Sequence, residues 1–128
     1  MIEIWKDIKG YEGAYKVSNL GRVKNLRRKI KNFTSPYRVI RERILKPSLD
    51  GGKYPTVMLC INNKPKRHKV HILVWEAFGN KKRNGMKLQV DHIDNVKLNN
   101  RIGNLQLLTQ KENIIKYFKT RKPKELSK

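Results

Sequence analysis

Val90-Asp91-His92-Ile93-Asp94, Asn99-Asn100-Arg101-Ile102-Gly103-Asn104-Leu105 and Leu108-Thr109-Gln110-Lys111-Glu112-Asn113 are pieces of one stretch, and its reading decides the fold. Residues 88–90 and 105–108 are short apolar runs on either side of a polar, asparagine-rich loop. Thr109 and, three residues on, Glu112 have the spacing of a capping box, in which each side chain satisfies a backbone N–H at a helix N-terminus. The stretch therefore predicts strand, loop, strand, helix.

Asp91 and Asn113 are oxygen donors, which a hard cation such as magnesium or manganese prefers. Asn113 falls in the first turn of the capped helix, and helical side chains lean back toward the N-terminus, so it can point at the hairpin that carries Asp91. His92 follows Asp91 directly. On an ideal strand the two face opposite sides, so they serve one site only if the strand twists or ends there. A histidine beside a phosphate and a metal is a natural general base.

With Asp91-His92, Asn104 and Asn113 quoted, the stretch resembles the HNH endonucleases, whose core is the ββα-metal (His-Me finger) fold. The spacings from His92 are 104 − 92 = 12 and 113 − 92 = 21. The resemblance implies that His92 activates water, that Asn104 steadies the loop and the histidine, and that Asn113 binds metal with Asp91 as second ligand. The last position is Asn113 where the family name has histidine, a variation seen in phage and intron members. A lone Asp-His pair is ordinarily an exposed turn. Several such residues at matching spacing, ahead of a capped helix, are hard to obtain by chance.

The totals suit a nucleic-acid partner. The chain has 128 residues, 31 Lys and Arg against 10 Asp and Glu, and a net charge of +21. That is one domain, or one small domain with a module attached, and an excess of this size attracts polyanions. Only 38% of residues are apolar, so the core is modest. Cys60 is the one cysteine, which excludes an intramolecular disulfide and a cysteine-rich zinc ribbon, and it is expected to be buried as a small hydrophobe. No apolar run reaches membrane-spanning length, and a cytoplasmic, intracellular protein is expected, in keeping with a phage-encoded one.

Residues 1–46 read as a small basic β-rich module. Ile2, Ile4 and Trp5 suggest a short strand; Tyr15-Lys16-Val17 and Arg22-Val23-Lys24 suggest two more, joined by Ser18-Asn19-Leu20-Gly21. Together with Gly10-Tyr11-Glu12-Gly13, they resemble the modular domain at the N-terminus of many phage and intron HNH endonucleases. Arg22, Lys24, Arg27, Arg28 and Lys29 open a run of basic residues that meets one acid, Glu42, before Lys46. We read them, with Arg101, as phosphate contacts.

Residues 47–119 read as the nuclease domain and 120–128 as a basic tail. Residues 47–52 look like a turn-rich connector. Tyr54–Ile61 and residues 66–70 read as a hairpin around Asn62-Asn63-Lys64. Val70, Leu73, Val74, Ala77 and Phe78 keep the spacing of one helical apolar face, and this segment resembles the helix that precedes the catalytic hairpin in the same nucleases. His71 is expected to pack on Trp75 in a structural role, and His68 to lie on the surface. Ile114, Ile115, Tyr117 and Phe118 are expected to dock the last helix on the core.

The fold class is thus α+β: a ββα-metal core preceded by a β-rich module. The expected function is metal-dependent hydrolysis of DNA phosphodiesters with Mg2+ or Mn2+, nicking one strand. The catalytic residues are His92 and Asn104, and the metal ligands Asp91 and Asn113. The partner is DNA, with no membrane and no small-molecule cofactor, and a monomer is favoured over a dimer. Charge alone also fits a non-catalytic DNA-binding protein on the same fold, or a ribosomal-type RNA-binding protein.

Overall fold

Short strands bounded by glycine and asparagine turns form the first third of the molecule. The computed structural model describes residues 2–30, 36–51, 53–83 and 88–120; of the expected tail, residues 121–128 lie outside them, while Thr120 is the last residue of the final helix. The first six strands are β1 (Trp5–Asp7), β2 (Tyr15–Ser18), β3 (Val23–Asn25), β4 (Arg28–Ile30), β5 (Arg38–Ile40) and β6 (Arg43–Ile44). β1, β2, β3 and β6 form an antiparallel sheet in that order. β4 and β5 make a separate two-stranded ribbon. Alternation in β2 buries Tyr15 and Val17, and β3 adds Val23.

β7 (Ser48–Asp50), β8 (Tyr54–Ile61) and β9 (Lys64–Lys69) form a second antiparallel sheet. The expected connector at 47–52 therefore contains a strand, which exists because β8 offers a free edge to pair with. Asn62 and Asn63 turn the β8–β9 hairpin at φ 53° and 59°, the left-handed pair that a tight two-residue turn requires. α1 (Val70–Phe78) follows at once and ends as the Gly79 N–H bonds Trp75 O at 2.7 Å.

α1 is the centre of the core. Its Val70, Leu73, Val74 and Trp75 share one apolar cluster with Val57 and Leu59 of β8, Val17 and Val23 of the first sheet, and Leu105. Each fully buried side chain of this kind contributes roughly 1.5–3 kcal/mol. Cys60 is only half-buried, because the Val57 and Leu59 side of β8 faces the cluster and Cys60 alternates away from it. His68 is half-buried and hydrogen-bonds Tyr11 OH at 3.0 Å, so it ties β9 to the turn between β1 and β2 rather than lying free on the surface.

β10 (Leu88–His92) pairs antiparallel with β11 (Leu105–Thr109), which runs straight into α2 (Gln110–Thr120). The capping box forms: the Thr109 N–H bonds Glu112 Oε1 at 2.9 Å and the Glu112 N–H bonds Thr109 Oγ1 at 3.1 Å. These bonds hold the Glu112 carboxyl below its ordinary range. Packing of α2 departs from expectation. Ile114, Ile115, Tyr117 and Phe118 are exposed, Phe118 to 73%. The helix turns its polar side to β10 instead, where Asn113 bonds Gln89 and Lys116 bonds Asp91. The result is an α+β fold that ends in a ββα unit.

Candidate active site

The site is built where β10 ends. His92 is its last residue, and Asn95 turns the chain at φ 63° with its N–H on His92 O at 2.9 Å. Asp91 and His92 point to opposite sides of the ribbon, as neighbours on a strand must. Asp91 lies against α2, with Gln106 Nε2 at 2.9 Å and Lys116 Nζ at 2.8 Å donating to its Oδ2. Lys116 also donates to His92 O at 2.8 Å and Asn95 Oδ1 at 2.6 Å.

His92 faces the core and is 5% exposed. Its Nε2 donates to Asn100 Oδ1 at 2.6 Å, since an amide oxygen only accepts. The lone pair is thereby left on Nδ1. The ring lies 5.0 Å from His71 and 6.3 Å, stacked, from Tyr54, centroid to centroid. His71 also packs on Tyr54 at 5.2 Å, while the Trp75 indole N–H goes to Lys81 O; the expected His71–Trp75 pair does not form. Burial, aided by His92, Lys69 and Arg83, pushes His71 down to about 4. It is therefore a neutral ring beside His92.

Asn104 clamps the intervening loop. Its Nδ2 donates to Asp94 Oδ1 and Asn99 O, both at 2.9 Å, and its Oδ1 accepts the Asp94 N–H at 3.1 Å. Bonds from Asn99, from the Val96 N–H and from Asn104 hold the Asp94 carboxyl below its usual range, so the loop is pinned around an anion. The histidine itself is held by Asn100, four residues earlier.

The HNH endonuclease family model matches residues 68–114, and the NUMOD4 motif matches residues 3–60. DNA endonuclease I-HmuI of Bacillus phage SP01 is 38% identical over 110 residues, which is 86% of this chain and 55% of that protein. Over these residues the chain is homologous to the HNH endonucleases. An uncharacterised HNH endonuclease of Acanthamoeba polyphaga mimivirus is 34% identical over 114 residues, 88% of this chain and 25% of its own length. A solved structure, that of DNA binding and cleavage by the HNH homing endonuclease I-HmuI, superposes with a TM-score of 0.72 at 35% identity. It covers 91% of this chain and 58% of that one. The chain thus spans about half of the phage enzyme and a quarter of the mimivirus protein.

HNH nucleases generally use a divalent metal ion, and the residues present fit one. Asn113 Nδ2 is engaged by Gln89 Oε1 at 2.8 Å, which leaves its amide oxygen as an acceptor. Gln89 and Asp91 share a face of β10, and Asn113 and Lys116 reach that face from one turn of α2. Asp91 and Asn113 therefore supply two oxygens on one side. No cluster of three His, Cys, Asp or Glu occurs among the described residues. Two protein oxygens suit a hard cation that takes its other ligands from water and phosphate.

The basic residues of the chain divide into two sets. Arg22 forks onto Glu3, Lys24 lies 3.8 Å from Glu42 and over Trp5, and Arg28 Nη1 donates to Ala14 O at 3.0 Å, to Leu26 O and to Asn25. Arg27, Lys29 and Arg101 are exposed. Sequence reasoning left Asn100, Lys116 and Tyr54 without assigned roles. The doubled Asn99-Asn100 was the only signal for the first; nothing local marked the other two.

Proposed function

We propose that this chain hydrolyses phosphodiester bonds of duplex DNA, one strand at a time, with Mg2+ or Mn2+. The observation that carries the reading is the fixed imidazole of His92 at the end of β10, next in the chain to Asp91. Its Nε2–H is engaged by Asn100, so Nδ1 is free to take a proton from water attacking the phosphorus. Asp91 and Asn113 would hold the cation, which would supply Lewis-acid polarisation of the phosphate and charge stabilisation at the leaving 3′ oxygen. Asn104 keeps the 93–104 loop closed, so that the strand end does not drift. Buried His71 and half-buried Tyr54 wall His92 from the core side and limit its rotation.

Residues 1–46 act as the basic DNA-contacting module and 47–119 as the nuclease part. Arg27, Lys29 and Arg101 reach phosphates directly. Arg22, Lys24 and Arg28 add positive field from positions tied to their own fold. The solved phage relative binds and cleaves DNA, which supports both halves of the reading. The charge of +21 favours a monomer off DNA.

A plasmid assay with Mg2+ or Mn2+, with and without chelator, tests this function. Relaxed circles that need the cation and vanish in His92→Ala are expected. Binding without cleavage in either metal would identify a non-catalytic DNA-binding protein instead, and preference for structured RNA an RNA-binding one.

A further inference from the structure

We infer that the 18–21 turn of the N-terminal module is a positioning device for His92, with Gly21 as its seat. The inference rests on the reading of His92 as the general base. The turn is rigid: Ser18 is fully buried, and its Oγ accepts the N–H groups of Leu20 and Arg22 at 3.2 and 3.1 Å. Asn19, 7% exposed, accepts the Ile4 N–H on Oδ1 at 2.7 Å and donates Nδ2 to Ile2 O at 3.1 Å. Its own carbonyl accepts the Ile102 N–H at 2.9 Å. The turn therefore grips the catalytic loop at Ile102.

Gly21 touches the same loop two residues earlier. At φ +88° it has the left-handed backbone that favours glycine. A Cβ there would lie 2.9 Å from Asn100 Cβ and 3.0 Å from the Asn100 carbonyl carbon and oxygen. The obstacle includes backbone, so Asn100 would have to move. Asn100 is 5% exposed and its Oδ1 is the partner of His92 Nε2. A shift of Asn100 weakens the bond that fixes which imidazole nitrogen carries the hydrogen and how the ring is held. Gly21, Asn19 and Asn100 are thus positioning residues that act through His92.

Gly10 supplies the control. Its φ is +87°, and a Cβ there meets nothing within 4 Å, so Gly10→Ala carries similar backbone strain without the clash. The test compares Gly21→Ala with Gly10→Ala by single-turnover nicking, DNA affinity and long-range proton–nitrogen spectra of the imidazoles, which only three histidines populate. Gly21→Ala should slow nicking by about 10- to 100-fold, as misplacement of a reacting group does, with DNA affinity kept and the Nε2–H tautomer of His92 lost. Gly10→Ala should retain the wild-type rate and spectrum. Where Gly21→Ala does not fold, Gly21→Asn repeats the test, since asparagine tolerates left-handed backbone. A wild-type rate and His92 spectrum in a folded Gly21 variant, or an equal loss in Gly10→Ala, would overturn the inference. Full activity of His92→Ala would instead sink the general-base reading, and the imidazole spectrum would still judge the Gly21–Asn100 packing.

Discussion

Lys116 Nζ donates to Asp91 Oδ2 at 2.8 Å across the β10–α2 packing face. The side chains are 17% and 14% exposed, so the pair is largely shielded. It also puts an ammonium on the carboxylate that the proposed cation requires. Lys116→Met should therefore do two opposite things. It should destabilise the protein in chelator by about 1–3 kcal/mol, because Asp91 loses its charged partner. It should also tighten binding of Mn2+, so that saturating metal recovers much of the lost Tm. Equal Tm losses with and without metal would show that Lys116 does not compete for Asp91.

Asp91→Ala and Asn113→Ala should each abolish or greatly weaken nicking while DNA binding survives, since affinity rests on many basic side chains. Gel shifts beside the cleavage assay separate the two effects. Wild-type rates from Asp91→Ala in Mg2+ would remove this residue from the site.

His71 gives the fold an acid weakness. The His71 imidazole is lowered to about 4 by burial first, then by the charges of His92, Lys69 and Arg83, against an ordinary 6.5. Between those values the unfolded chain binds the proton and the folded chain does not. The stability that the neutral ring allows is therefore complete above pH 6.5 and falls as pH drops toward 4, by about 3 kcal/mol. His71→Leu, which also removes a buried Nδ1 with no partner, should flatten that part of the urea-stability profile. The same acid slope in the variant would place the weakness elsewhere.

Arg27, Lys29 and Arg101 should act on DNA through charge alone. Replacing all three with glutamine should weaken binding on every sequence and reduce the salt slope by about 0.9 for each phosphate that is no longer neutralised. Arg28 behaves differently, because its guanidinium ties Ala14 O and Leu26 O. Arg28→Gln should lower Tm as well as affinity. An unchanged salt slope in the triple variant would mean that these residues are only solvated.

Supercoiled plasmid should convert first to relaxed circles, with linear DNA late. The described chain carries one Asp91-His92 pair, and antiparallel strands cannot both meet one site in one pose. Linear product formed directly, at a rate steep in protein concentration, would point to a dimer.

What the sequence revealed of this fold follows the reach of its signals. The capping box at Thr109 and Glu112 and the Asn62-Asn63 turn act within a few residues, so the hairpins and α2 were readable. β4, β5 and β7 are three residues each, rich in charge or at a sheet edge, and owe their existence to strands that pair with them. Local pattern does not carry that information. Amphipathy of α2 showed that it has two sides but not which one docks; Asp91 and Gln89 chose the polar side. Asn100 and Asn104 lie in one loop, and nothing local in the sequence says that Asn100 is the one that meets His92; its packing against Gly21 is a contact with a distant part of the chain.

The apolar cluster in which Val17 and Val23 meet Val74 bears on how such enzymes could be recombined. Residues 1–46 look like a portable cassette, yet they do not stop at their own surface. A grafted segment would bring valines that must mesh with the recipient's α1 and a turn that must mesh with its Asn100. A chimera cut at residue 46 should bind DNA through its new charges while losing catalytic rate, unless the α1 face and the 99–104 loop travel with the graft. The practical unit of exchange in this chain is a set of matched surfaces rather than a run of consecutive residues.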